Sequence, residues 1–247
     1  MERADMQYVK EYVNEVEQSI YEPTVYRHFS GTIVDERKAF FLLLPLLNGE
    51  SWSRHLQTSA IAVGAVHAAF DVHDRIDVMD ATPKSQQLLV LSGDHFSGIY
   101  YRLLASLPDF PFIRSLSGTI GLINETKTNM MKKPPVGSDQ VIHKIAIIEA
   151  GCIIDFYQRY GFTAYMEIAE LVLPLVWIGE RLSGKVGVQE RVIGQNIHEP
   201  DMEHAYCELI QRAEQALESA SFLSISLKNK ITEMIIPFAE HADSNRR

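Results

Sequence analysis

The chain has 247 residues, 46% of them hydrophobic, and a formal net charge of −9. That composition supports a sizeable buried core, and the acidic balance, with no block of Lys and Arg, argues against nucleic acid as the main partner and weakens the case for a polybasic membrane anchor. Cys152 and Cys207 form no C-x-x-C pair, so neither a disulfide framework nor a zinc site is expected, and two buried thiols fit a reducing cytoplasm.

The opening stretch, Met1 to Gln18, has no apolar run of the kind a secretion signal needs. Val9, Val13, Val16 and Ile20 follow the i, i+4, i+7, i+11 spacing of one helix face. The run FFLLLPLL (Phe40 to Leu47) is far shorter than the roughly 20 residues that cross a bilayer and reads as a buried helix. Gly49 to Ser53 supplies a stop and then an N-cap. From Ser59 to Phe70 small residues dominate, which lets neighbouring backbones come close and marks a central helix. It runs into an acidic end, Asp71 to Asp80, and a break around Pro83.

Leu89, Phe96, Tyr100, Leu103 and Leu107 form the next apolar stripe, with Gly93 on it; Pro108 and Pro111 bracket its end. Lys132 to Asp139 is a loop, because paired prolines block helix, and Ser138 or Asp139 can cap the next helix. Val141, Ile145, Ile148 and Cys152 form another face, and LVLPLVWIG (Leu171 to Gly179) a second short apolar helix. Gly184 to Gly187, His198 to Asp201 and Ala220 to Ser226 are later joints, and Leu227, Ile231, Met234 and Phe238 the last face. Strand-like alternation is missing. The pattern predicts one all-α domain over 1–247, of about eight to ten helices.

Polar residues at the end of a buried helix are where a site would be built. Asp71, Asp74, Asp77 and Asp80 recur every three residues, and His67, Asp71 and Asp74 share a face. Such carboxylates can hold Mg²⁺, and Mg²⁺ holds diphosphate; the same residues also suit a solvated acidic helix end.

VHDRID, followed by LLVLSGDHFSGIYYRLL (Leu88 to Leu104), resembles the trans-polyprenyl diphosphate synthase family. In catalytic members a small-residue helix ends in His-Asp-Asp-x-x-x-Asp, and the next helix opens with a Gly-Asp pair, here Gly93-Asp94. Glu125 to Met131 falls where that family has another polar helix end. The helix from His143 to Gly161 looks like the one carrying Lys-Thr-Ala, with Lys144 on the lysine position. The likeness is strongest over 60–161 and implies the isoprenoid synthase fold.

The departures are equally specific. His73-Asp74 fits, but Arg75 stands on the second aspartate position and Val78 on the third, and Asp77 is one position off, about 100° around a helix. A cation where Mg²⁺ should sit reverses the charge contribution. The helix with Glu180-Arg181 has no second aspartate pair, and only Arg37-Lys38 stands in for the early diphosphate grip. This combination, with the string LSGDHFSGIYY, resembles the small component of the two-component heptaprenyl diphosphate synthases. The resemblance implies a non-catalytic subunit that binds no cofactor alone. A large catalytic subunit would carry Mg²⁺, and the pair would make the menaquinone side chain in the cytoplasm, meeting the membrane only through its lipid product. It implies diphosphate contacts at Lys144, Arg37 and Lys38. Gly93, Ser97 and Gly98 lie close together on one helix, where small residues would let a partner helix approach. Three other readings share parts of the pattern: an HD-type metal phosphohydrolase on His67 and His73-Asp74, a self-sufficient synthase with unorthodox ligands, and a helical scaffold.

Overall fold

The computed structural model describes residues 2–27, 33–76, 84–184 and 196–244. Among them are eleven α-helices, two of only four residues, one 3-10 turn and no strand. They group into two compact units, Met1–Leu116 and Ser117–Arg247.

The first unit opens with α1 (Glu2–Ile20) and the single turn α2 (Pro23–Tyr26). The stripe Val9, Val13, Val16 and Ile20 is buried along its length. The FFLLLPLL run becomes α3 (Glu36–Leu42) and the single turn α4 (Leu44–Leu47), with Phe40 to Leu44 buried. Asp35 caps α3: its carboxylate accepts the Arg37 and Lys38 backbone N–H groups at 2.7 and 3.3 Å and pairs with the Arg37 guanidinium at 3.2 Å. Burial opposes the Asp35 charge, but Arg37, Lys38 and these hydrogen bonds outweigh it and hold the carboxyl below its ordinary range. Its stabilising contribution is therefore full above the ordinary carboxylate pKa of about 4 and is lost as pH falls through the lowered value. Asp35→Ala is expected to cost about 1 kcal/mol at pH 7 and to flatten the acid limb of stability against pH. Urea unfolding at pH 7 and pH 3 checks this; an equal difference at both pH values would contradict it.

Ser53 caps α5 (Arg54–Asp74), its hydroxyl accepting the Leu56 N–H at 3.1 Å, as the sequence predicts. The small-residue run is buried from Ser59 to Phe70 apart from a half-buried Ile61, and α5 packs on α1 and, most extensively, on α6 (Lys84–Ala105). The α1 crossing is close. An added Cβ at Gly64 would lie 2.5 Å from the Tyr12 hydroxyl and 2.6 Å from a Val16 methyl. Tyr12, raised in pKa by burial, stays protonated and donates to the Ala60 carbonyl at 2.8 Å. Asp109, buried at the end of this unit, caps α7 (Phe110–Lys132) through the Phe112 N–H at 3.2 Å and meets His55 at 3.3 Å.

In the second unit α8 (Ser138–Tyr160) buries the predicted face Val141, Ile145, Ile148 and Cys152. Its cap differs from the sequence expectation. Gly137, at φ +81°, is the N-cap and neither Ser138 nor Asp139 caps; the Gly137 N–H instead donates to the Asp201 carboxylate at 3.0 Å. A residue 64 positions away supplies this bond, so local spacing carries no sign of it. After Gly161, at φ +81°, and the 3-10 turn Thr163–Tyr165 comes α9 (Met166–Leu182), the most apolar helix, buried from Leu171 to Val176. It packs on α8, α10 (Glu199–Ser219) and α11 (Ile225–Ser244). Rings of Phe156, Tyr157, Phe162 and Tyr165 fill the corner between α8 and α9. No helix among the described residues is long and apolar enough to cross a membrane.

Candidate functional site

The degenerate motif closes α5. Asp74 is its last residue and Arg75 its C-cap, with the Arg75 N–H on the Val72 carbonyl at 3.2 Å. A cation at a helix C-terminus faces the negative end of the helix dipole, a favourable place for Arg75 and an unfavourable one for the carboxylates of Asp71 and Asp74. Asp71, His73, Asp74 and Arg75 are all half-buried, whereas His67, two turns back, is 6% exposed and belongs to the helix interior. Asp77, Val78 and Asp80 lie outside the described residues.

The structure joins the two strings that sequence reading treats separately. The His73 ring lies directly on the Cα of Gly93, so closely that a Cβ there would overlap its Nε2 atom. Gly93 is therefore glycine because α5 and α6 meet at that point. Within this chain the small surface of Gly93 admits the His73 ring. Gly98, in contrast, has nothing within 4 Å of the place a Cβ would take, and Ser97 is half-buried between the two directions. Asp94, next to Gly93, is exposed.

Among the described residues no three His, Cys, Asp or Glu side chains come together as metal ligands. His73 is seated on Gly93, and a guanidinium stands at position 75. On α9, where the resemblance leads one to expect a second aspartate motif, stand Glu180 and Arg181, and the Arg181 guanidinium stacks 3.5 Å over the Trp177 ring. That is a cation–π pair in place of carboxylates.

The candidate diphosphate contacts belong to different units of the chain. Arg37 and Lys38 sit in the first turn of α3, where Asp35 engages Arg37. Lys144 is half-buried on α8 of the second unit. The stretch Glu125 to Met131 lies in the last turns of α7, and two of its polar residues, Thr126 and Lys127, are buried. The sequence names the stretch without singling out Lys127. Its signal is the alternation of buried Ile123, Thr126, Lys127 and Met130 at helical spacing.

Residues 23–221 match the family "Heptaprenyl diphosphate synthase (HEPPP synthase) subunit 1". The chain is 30% identical over 109 residues to heptaprenyl diphosphate synthase component 1 of Geobacillus stearothermophilus, a match covering 44% of this chain and 50% of that protein. It thus spans about half the length of the curated relative it matches. In structure it resembles a decaprenyl diphosphate synthase from Rhodobacter capsulatus, with a TM-score of 0.67 at 15% identity over 98% of this chain and 99% of that one. It also resembles heptaprenyl diphosphate synthase from Staphylococcus aureus, with a TM-score of 0.55 at 12% identity over 98% and 92% of the two chains. At such identities these likenesses establish the fold, an all-α isoprenoid-synthase architecture.

Proposed function

The chain belongs to the heptaprenyl diphosphate synthase subunit 1 family, and we propose that it is the non-catalytic small subunit of a long-chain polyprenyl diphosphate synthase. One observation carries the reading: a synthase fold in which the helix that should present a carboxylate cluster ends in His73 packed on Gly93 and Arg75 as cap. Ionising an allylic diphosphate needs cations held against the leaving group. A guanidinium at a ligand position repels those cations. The chemistry then belongs to a DDxxD-bearing large subunit with its Mg²⁺, and this chain acts by binding it, supporting its activity and helping to set product length. Lys144, Arg37 and Lys38 are the cations through which it would meet a diphosphate. A cytoplasmic pair of this kind would supply the menaquinone side chain.

The proposed contact with the large subunit is the outer face of α6. Leu91, Asp94, Gly98, Tyr101 and Ala105 are exposed at 3-4-3-4 spacing, the seam of a helix that pairs with another, and Val90 flanks it. Leu91 is 62% and Tyr101 50% exposed, and with Val90 they make an apolar strip on this face. A specific interface there should bury upwards of about 1,000 Å² in total.

Assay this chain, the DDxxD-bearing partner and their mixture with farnesyl diphosphate, labelled isopentenyl diphosphate and Mg²⁺. Long-chain product is expected only from the mixture. Gly98→Trp, which points into open space in this chain, should leave its helical circular dichroism intact and lower the mixture's activity at least tenfold. Robust product from this chain alone would identify a self-sufficient synthase and defeat the reading.

A further inference from the structure

The second unit carries a trough of about 510 Å³ along the face of α8, walled by the part of α7 around Thr119 and Leu122, the start of α9, and α10. Its floor is apolar: Ile142, Ala146, Ile147, Gly151, Ile154 and Leu171. Ala146 and Gly151 give it depth at mid-helix, where the nearest atoms to an added Gly151 Cβ are those of Thr119 and Ile123 on α7, at 3.4 and 3.5 Å. From Asp139 to Gln158 the trough follows α8 for about 28 Å, the length of a five-turn helix.

Its rim is predominantly acidic, with Asp139, Glu167 and Glu170 exposed and Asp155 buried beneath them. Asp139, Asp155, Glu167 and Glu170 line it, against Arg212 and His143. Arg212 is already paired with Glu208 at 3.2 Å. Partial desolvation of this surface carboxylate, with repulsion from Glu167, raises Glu170 above its ordinary carboxylate pKa, and Arg212 only partly offsets this.

From the apolar floor, the acidic rim and the helix-length shape, we propose that this trough receives an amphipathic helix bearing Lys or Arg from the large catalytic subunit. Apolar anchors would fill the floor and the cations would meet the rim carboxylates. Two other occupants fit less well. A hydrocarbon tail would strip water from three exposed carboxylates and offer no counter-charge. A second copy of this chain brings a net charge of −9 against an acidic rim. The proposal rests on the small-subunit reading above and adds a second point of engagement to the α6 seam.

The test uses the full chain and the DDxxD-bearing partner, with binding measured by calorimetry and farnesyl diphosphate binding measured in parallel. Glu167 and Glu170 are exposed at the surface, so E167K/E170K should fold normally. It is expected to weaken the complex at least tenfold. A control with the same change in net charge, E214K/E218K on exposed positions of α10 away from the trough, should bind as the wild type does. Raising salt from about 50 mM to about 500 mM should weaken the wild-type complex more than that of E167K/E170K. Equal affinity of E167K/E170K and wild type, in a mixture that remains active, overturns the trough assignment and leaves the small-subunit reading standing. Equal weakening by both double variants reduces the effect to net charge and overturns it too. Loss of farnesyl diphosphate binding with unchanged subunit affinity would give the trough to a lipid. Failure of the wild-type chain to bind the partner at all removes both readings.

Discussion

Gly64→Val is expected to destabilise the first unit strongly, and Gly64→Ala to cost about 1–3 kcal/mol. The reason is the pair of neighbours. A Cβ at 64 would stand 2.6 Å from a Val16 methyl and 2.5 Å from the Tyr12 hydroxyl. Val16 is fully buried, and a β-branched side chain on a helix has essentially one χ1 state, so it cannot swing aside. Tyr12 is 2% exposed and its hydroxyl is committed to the Ala60 carbonyl. Relief therefore requires α1 to move off α5, which uncovers the buried stripe Val9, Val13, Val16 and Ile20. Exchanging glycine for alanine inside a helix would by itself gain about 0.5–1 kcal/mol, so overlap must exceed that gain for the loss to appear. Gly98 provides the comparison. It is also mid-helix, but with nothing within 4 Å, and Gly98→Ala should be neutral or slightly stabilising. Urea titrations of the two alanine variants, followed by far-ultraviolet circular dichroism, should give shifts of opposite sign. Two shifts of the same sign and size would mean that the α1–α5 crossing is looser than the structure has it.

The contrast between Gly64 and Gly98 also marks the reach of sequence. Periodicity locates the helices, because burial of one face leaves a 3.6-residue signature: Val9 to Ile20 and Val141 to Cys152 are buried as read. The small-residue run announces a close helix crossing, since only short side chains permit one. Which helix crosses is not legible, because Tyr12 and Gly64 are related by packing and not by spacing. The same gap explains Gly93. A glycine on an apolar stripe says that something comes near; only the fold shows that it is His73. It explains the cap of α8 as well, where the carboxylate comes from Asp201. The motif departures, Arg75 and Val78, need no structure, because they are substitutions of chemical type at fixed positions. The trough along α8 is illegible for a further reason. Its acids come from α8 and α9 and its cation from α10, and only tertiary packing places them on one rim.

Gly93→Ala is expected to displace His73 and, through it, the end of the degenerate motif. The methyl group would overlap three atoms of the imidazole ring. Unlike Val16, the ring is the far end of a half-buried side chain with two rotatable bonds, so it can turn away. Stability should therefore fall by only about 1 kcal/mol, while the placement of His73 is lost outright. The two residues should be coupled. Once His73 is truncated to alanine, space opens above position 93, and adding Gly93→Ala should do no further harm. A double-mutant cycle on unfolding free energy measures this directly: the H73A/G93A variant should be no less stable than H73A alone, giving a coupling of about 1 kcal/mol. Strict additivity would show that the ring does not rest on Gly93. The same four proteins, each mixed with the DDxxD-bearing partner, tell whether the motif still takes part in turnover. If the small subunit acts by binding alone, G93A and H73A should each retain most of the mixture's activity, because the α6 seam at Leu91, Gly98 and Tyr101 faces away from Gly93. If instead both abolish product formation while the complex still forms on gel filtration, the end of α5 contributes to the chemistry of the assembled enzyme, and the description of this subunit as non-catalytic is wrong.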